Sequence, residues 1–307
     1  MSAMRLRLGL SCKKPEESAF MLDRILRLLA SNRLLTCSVD KVDGRSVRRY
    51  GLSPVGKYLV PDEEGVCLNP LLSMAAHRAF RLSRSKLKDA ILEGGNPFHM
   101  AHGKSAFEYA SIDESFNQIF NTAMRNYSTI MMKYLVEKYN GFKGVKQLVE
   151  VAGGFGHIIR IIVFKYPSIK GINFDLPHVI QKALPIPGVE HISGDMFESV
   201  PQGDAILMKW IIHDWDDDKC IHLLKNCYAS LPEKGKVIII EGILPEIPLP
   251  TIEAKAISQM DIAMLTQMEE GKERTKEEFT ALSHAAGFLD IRFVCCVCNY
   301  WIIELHK

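Results

Sequence analysis

Several things are missing from this chain, and each absence removes a class of protein. Although 47% of its 307 residues are apolar, no run reaches the roughly 18 apolar residues that a membrane-spanning helix requires. Charge of one sign is also missing. Lys and Arg number 38 against 36 Asp and Glu, a net of +2, so no global field favours nucleic acid or an anionic membrane surface. A cysteine framework is absent as well: the eight cysteines (12, 37, 67, 220, 227, 295, 296 and 298) are scattered. Cys295 and Cys298 spell CxxC, but inside the apolar run IRFVCCVCNYWIIEL, with no second pair and no nearby histidine. Free thiols in a reducing compartment are expected instead of zinc. The basic leader MSAMRLRLGLSCKK lacks the apolar core and cleavage site of a signal peptide. A cytosolic protein without a membrane partner is the expectation, and no internal repeat or low-complexity tract complicates it.

What is present begins with LVEVAGGFG, residues 148–156. It reads as a short apolar strand running into a glycine turn, followed by a helix, HIIRIIVFKYP. Such a turn lets backbone approach a nucleotide-like ligand. The last glycine of a nicotinamide fingerprint is missing, since Ile159 holds its place; S-adenosylmethionine tolerates that. From residue 144 onward strands and helices alternate, the pattern of a parallel sheet covered on both faces. Strands are predicted at 147–151, 171–174, 190–193, 205–208 and 236–241, with a closing hairpin of 290–297 and 300–305.

Upstream the texture differs. FMLDRILRLLASNRLL (20–35) has helical spacing, a polar turn is expected over 40–45, RRYGL reads as a strand, and Ser53 opens a short helix, PVGKYLV. Helix, hairpin and helix outline a winged helix. Arg45, Arg48 and Arg49 would suit phosphates in a DNA reader, yet they form no extended basic stripe, and the same form serves in dimerisation. Amphipathic helices then fill 87–138, among them FEYASIDESFNQIFNTAMRNYSTIMMKYLVEKY. The division expected is a winged-helix-like region over 1–100 and an α/β, Rossmann-like domain over 101–307.

In open α/β sheets ligands bind beyond the carboxyl ends of the strands, and chemically capable residues fall there in succession. The glycine turn with Ala152 and Gly154 follows the first strand, Asp175 the second, and Asp195-Met196 the third; Lys209 and His213 follow the fourth, and Glu241 ends the fifth. With an ordinary pKa near 6.5, a neutral His213 is expected to accept a proton. The aspartates after it, Asp214, Asp216, Asp217 and Asp218, read as the first turn of a helix, matched to its dipole; a metal set with His213 would need several of them to turn into the cleft. Thr275 and Glu278 form a capping box. That leaves Glu273, on the residues alone, as a solvent-exposed loop charge.

Together VEVAGGFG, INFDLPHVI, GVEHISGDMF, VPQGDAILMKWIIHDWDDDKC, GKVIIIEGILP and GKERTKEEF resemble plant S-adenosylmethionine-dependent O-methyltransferases of the caffeic acid type, from about Pro15 to Lys307. The resemblance implies a homodimer, S-adenosylmethionine as methyl donor, no metal, and a phenolic hydroxyl of a small phenylpropanoid or flavonoid as acceptor. By the same resemblance His213 is the general base, flanked by Glu241 and Glu273. Asp175 holds the ribose, Asp195 and Met196 the adenine, and Lys209 makes a further cofactor contact. Phe116, Phe120, Met124 and Met264 hold the aromatic substrate; without the resemblance they read as helix core.

This chain departs from the family at four internal positions. Ala152 stands where the family has glycine, Arg84 where it usually has tryptophan, Ala110 for a usual histidine and Met268 for a usual asparagine. The last two make the expected pocket less polar. Family members also carry more helices upstream of MLDRILRLL, so the region reads as shortened. An active O-methyltransferase and a catalytically impaired paralogue both remain open at this point.

Overall fold

The computed structural model describes residues 13–307; Cys12 lies outside them. Between Pro70 and Leu71 the chain divides into two compact units.

In the first unit, helix α1 (Pro15–Ser31) precedes the antiparallel strands β1 (Leu35–Val42) and β2 (Arg45–Leu52) and a 3₁₀ turn, Gly56–Leu59. The helix stops four residues before the sequence expectation because Leu35 is already paired with Leu52. The polar turn also shrinks to Asp43-Gly44, both at positive φ (50° and 74°), the two-residue geometry that matches strand twist. Asp40, expected in that turn, instead sits in β1 and pairs with Arg49. Arg48 reaches Asp23 of α1 at 3.0 Å. Two of the three arginines considered for phosphate are therefore engaged by carboxylates.

The division falls within helix α2 (Asn69–Ala75), and the second unit continues with the short helices α3 (Arg78–Ser85), α4 (Leu87–Glu93), α5 (Pro97–His102) and α6 (Ala106–Ile112), and the long α7 (Glu114–Lys138). What reads as one amphipathic run is cut at Asp113. Its carboxylate accepts from the Phe116 amide at 3.0 Å and so caps α7. The division falls before residue 100 because α3 and α5 share an aromatic core with α6 and α7: Phe80 lies 5.2 Å and Phe98 6.4 Å from Phe116, ring to ring.

A seven-stranded sheet follows, in the order β5-β4-β3-β6-β7-β9-β8. Its parallel part comprises β3 (Gln147–Val151), β4 (Lys170–Asp175), β5 (Val189–Ser193), β6 (Ala205–Lys209) and β7 (Lys236–Glu241). The antiparallel hairpin of β8 (Asp290–Val297) and β9 (Tyr300–His306) closes one edge. Period-two alternation sorts the core onto two faces. Leu148, Leu207 and Ile238 pack with Met131 and Leu135 of α7 and with Ile159 and Ile162 of α8 (His157–Lys165). Val149, Ile206 and Ile239 pack with Leu223 and Leu224 of α10 (Asp217–Ser230) and with Phe279 and Leu282 of α12 (Lys276–Ala285). Completing the unit are α9 (Pro177–Ile180) and α11 (Ile252–Gln267). No described helix is long and apolar enough to cross a membrane.

Candidate active site

The chain runs outward from β3 through β4 to β5 and then crosses back to β6. The crevice of such a sheet opens where strand order reverses, at the carboxyl ends of β3 and β6. Both strands leave through strained backbone there: Ala152 after β3 has φ +52° and Trp210 after β6 has φ +57°. Left-handed backbone at a non-glycine residue costs about 1–2 kcal/mol.

At the end of β3, Gly154 and Gly156 also take positive φ, 59° and 76°. The Gly154 amide donates to Asp175 Oδ2 at 2.7 Å, and the Leu176 amide donates to Oδ1 at 2.7 Å. Each Asp175 oxygen thus has one lone pair committed and another free to accept. Gly153 approaches Asn173 so closely that a Cβ would lie 2.2 Å from its Oδ1, a buried oxygen without a hydrogen-bond donor among the described residues. Asp195 Oδ1 accepts from the Phe197 amide at 2.8 Å beside a half-buried Met196. Carboxylates with spare lone pairs, a turn stripped of side chains and an apolar flank suit a nucleoside with hydroxyls and an amine to donate. These residues fit the expected cofactor.

Beneath the turn, Glu150 is buried in β3 and caps α8 by accepting from the Ile159 amide at 3.0 Å. Burial pushes its carboxyl up to about 8. Burial acts the opposite way on Lys209, lowering it to about 7 against the pull of Glu241, Glu150 and Asp214. The Lys209 ammonium lies 3.2 Å from the Trp210 ring centroid.

His213 sits in a 3₁₀ turn after β6 (Ile212–Asp214) and is 5% exposed. Its Nδ1 is 2.9 Å from Glu273 Oε1 and 3.6 Å from Glu241 Oε2, while Nε2 is 3.6 Å from Asp214 Oδ1. The other Glu241 oxygen accepts from the Ile211 and Ile212 amides at 2.8 and 3.0 Å. Glu241 Oε2 and Glu273 Oε2 are buried with no hydrogen-bond donor among the described residues.

Three sequence expectations are corrected here. Glu273 is 3% exposed, not a loop charge in solvent. Its neighbour Arg274 is drawn inward by the 212–217 segment, which carries Glu273 onto the imidazole. Asp214 is not part of the helix either: α10 is capped by Asp216, whose Oδ1 accepts from Lys219 N at 2.8 Å, with Asp217 and Asp218 in its first turn. Asp214 instead faces His213, and burial raises its carboxyl to about 6. The expected neutral imidazole also changes. Burial opposes its charge, but Glu241, Asp214 and Glu273 outweigh burial and push His213 up to about 10. Glu241, chiefly through burial, rises to about 7.

The four residues expected to hold an acceptor occupy different settings. Phe116 is fully buried in the aromatic cluster, with Phe120 packed against it at 6.0 Å, ring to ring. Met124 is half-buried against the core of the α7 face, and Met264 is buried on α11. Sequence reasoning missed Asn173, Trp210, Asp214 and Arg274 as parts of this arrangement. Asn173 had a signal, a polar residue in the middle of an apolar strand; Arg274 had none, because its partners at 212–217 are distant in the chain, and Asp214 was read with the helix-dipole aspartates that follow it. A surface depression lined by Pro167, Ile169 and Glu190 lies at the opposite, amino-terminal ends of β4 and β5, remote from these groups.

A family model described as "O-methyltransferase domain" matches residues 85–289. The chain is 53% identical to "O-methyltransferase 16" of Lophophora williamsii, covering 100% of this chain and 82% of that one. It is 51% identical to "Caffeic acid 3-O-methyltransferase 1" of Populus kitakamiensis, covering 100% and 84%. Among solved structures it is similar to human N-acetylserotonin methyltransferase in complex with SAM, at a TM-score of 0.80 and 22% identity over 100% of this chain and 87% of that one.

Proposed function

This chain belongs to the O-methyltransferase family, dependent on S-adenosylmethionine, and from that premise we propose that it methylates a phenolic hydroxyl of a small phenylpropanoid or flavonoid acceptor with His213 as the proton acceptor. The observation that carries this reading is the buried imidazole held on Glu273 at 2.9 Å, beside two carboxylate oxygens that lack a donor among the described residues. The cofactor, when bound, supplies an electrophilic methyl group on a sulfonium. Asp175 would take the ribose hydroxyls on its free lone pairs, Asp195 and Met196 the base, and the Ala152–Gly154 turn the close approach of backbone. Lys209, whose charge burial opposes and Glu241 and Glu150 favour, would make a further cofactor contact.

A phenol has a pKa near 10, and His213 raised to about 10 is matched to it. Proton transfer from phenol to a neutral His213 then costs little, and Glu273 and Glu241 stabilise the imidazolium that forms. Glu241 Oε2 and Glu273 Oε2 remain to accept from the acceptor's hydroxyl groups. Phe120, Met124 and Met264 would form the apolar wall for the ring, with Phe116 behind Phe120. The apolar Ala110 and Met268 favour an acceptor with few further hydroxyls.

A homodimer is part of this proposal. Met21, Ile25 and Leu28 stand on one stripe of α1 beside Phe20, all four exposed, and a second copy would cover them. Cys37, Cys220, Cys227, Cys295, Cys296 and Cys298 are free thiols, which supports a reducing, cytosolic setting.

Replacing His213 with Ala tests the assignment. Caffeate turnover is expected to fall by about 10²- to 10⁴-fold, with S-adenosylhomocysteine affinity held within about threefold. Full turnover by the variant would end the base reading. One observation favours the second reading, an impaired paralogue: a methyl group, that of Ala152, stands in the left-handed turn where backbone would approach the cofactor. A folded chain that shows no calorimetric binding of S-adenosylhomocysteine would establish it.

A further inference from the structure

We propose that Arg274 is a positioning residue for this reaction, fixing the backbone on both sides of His213 and so setting the imidazole against Glu273. The proposal rests on His213 as proton acceptor. The guanidinium is fully buried, where a charge is sustained only by a complete set of partners. Those partners all belong to the 212–217 segment. Nη1 donates to Ile212 O at 2.8 Å and Nη2 to Trp215 O at 2.8 Å. Nε and Nη2 both donate to Asp217 Oδ1, at 3.0 and 2.8 Å. The two carbonyls bracket His213 and Asp214, so one planar fork spans the turn that carries the base.

The other end of the fork is equally anchored. Arg274 bridges Ile243 in parallel fashion, and its carbonyl accepts from the Leu244 amide at 2.9 Å. The preceding residue is Glu273, whose amide donates to Asp261 Oδ1 of α11 at 2.9 Å and whose carboxylate meets His213 Nδ1. Adjacent residues in extended chain point to opposite sides. Here one of the pair takes the imidazole and the other takes its backbone, so the distance between Nδ1 and Glu273 is set by a short, rigid loop of contacts. Glu241 holds the same segment from the amide side through Ile211 and Ile212. Arg274 is its counterpart on the carbonyl side. A lysine offers one donor centre and no planar fork, and cannot serve both carbonyls and Asp217 together.

Asp217 reports on the same contact. Burial pulls its carboxyl upward, yet Arg274 and Lys272 outweigh burial and hold it below the usual aspartate value. Its side chain is 49% exposed, so Asp217→Asn loosens the fork from the solvent side without opening the core.

The experiment compares the full chain with R274K, D217N and H213A. Three readouts are taken: calorimetric titration with S-adenosylhomocysteine, the Nδ1–H proton resonance of His213 assigned by its loss in H213A, and caffeate turnover against pH. The resonance reads the His213–Glu273 contact without any acceptor. The facing groups are Glu273, Glu241, Asp214 and Lys209, all of them retained in R274K and D217N. R274K is expected to bind S-adenosylhomocysteine within about threefold of the parent and to lose the resonance to exchange with water. Its kcat should fall about 10- to 100-fold with KM for caffeate little changed, the size of effect expected from sub-ångström misplacement of a reacting group. The rising limb of its pH profile should move to lower pH. D217N should show the same changes at about a third of that fold-loss or less. A folded R274K that keeps the resonance and turns over within about twofold of the parent overturns the proposal. Should R274K fail to fold, D217N decides by the same readouts: a broadened resonance supports the proposal and an unchanged one overturns it. Full turnover in H213A would instead overturn the base reading on which the proposal stands.

Discussion

Ala152 is the residue whose replacement tests most directly how this site is built. With φ at +52° it occupies the left-handed region, where an L-residue other than glycine carries about 1–2 kcal/mol of strain. Ala152→Gly removes that strain but frees the unfolded chain, which costs back about 0.4–1 kcal/mol. The net is a stabilisation of roughly 0.5–1 kcal/mol, or a Tm higher by about 1–2 °C for a chain of this size. Ala152→Val moves the other way, because a β-branched side chain tolerates positive φ least; it should lower Tm by more than A152G raises it. The strain belongs to the folded turn and is met on folding, so S-adenosylhomocysteine affinity of A152G should stay within about threefold of the parent. Scanning calorimetry and isothermal titration give both quantities. A lower Tm for A152G would refute the strain argument. A tenfold gain in affinity would show that the alanine methyl obstructs the cofactor, and would favour the impaired reading.

Other expectations concern the titrating groups. Because His213 is raised to about 10, the competent neutral imidazole is scarce at neutral pH; kcat/KM should climb with unit slope through pH 7–9 and level near 10, and a plateau already reached at pH 7 would contradict the carboxylate cluster. Glu273→Gln removes one of the charges that raise His213, so the limb of that profile should move to lower pH; an unmoved limb would show that Glu273 orients the ring without tuning it. Glu150, raised to about 8, binds its proton more tightly folded than unfolded, so stability should fall as pH rises from about 4.5 to 8, by a few kcal/mol in order of magnitude. Glu150→Gln should flatten that decline in urea titrations, since its amide oxygen can still accept from Ile159; an identical slope in both proteins would refute the burial argument.

Much of the frame was legible in the chain because its signals are local. Alternation within five residues marks β3, β6 and β7 and the two faces they present. The Thr275–Glu278 capping box needs only four residues and is present, with both of its hydrogen bonds made. Asp113 was less legible. It interrupts a pattern whose periodicity continues on either side, so the residues read as one amphipathic run where a cap divides two helices.

The site divides along the same line. By itself the sequence determined that a glycine turn, Asp175, Asp195, His213 and Glu241 would stand along one edge of a parallel sheet, since strand direction and residue order suffice for that. It could not determine that Glu273 is buried, that Asp214 leaves its helix, or that His213 is held above its ordinary pKa. The first and last of those outcomes depend on groups 28 to 60 residues apart in the chain meeting in a desolvated cleft, where water screens the carboxylates from the imidazole far less than at the surface. Only the tertiary structure decides which charges share that cleft, because burial and proximity are properties of the assembled core and of no segment within it.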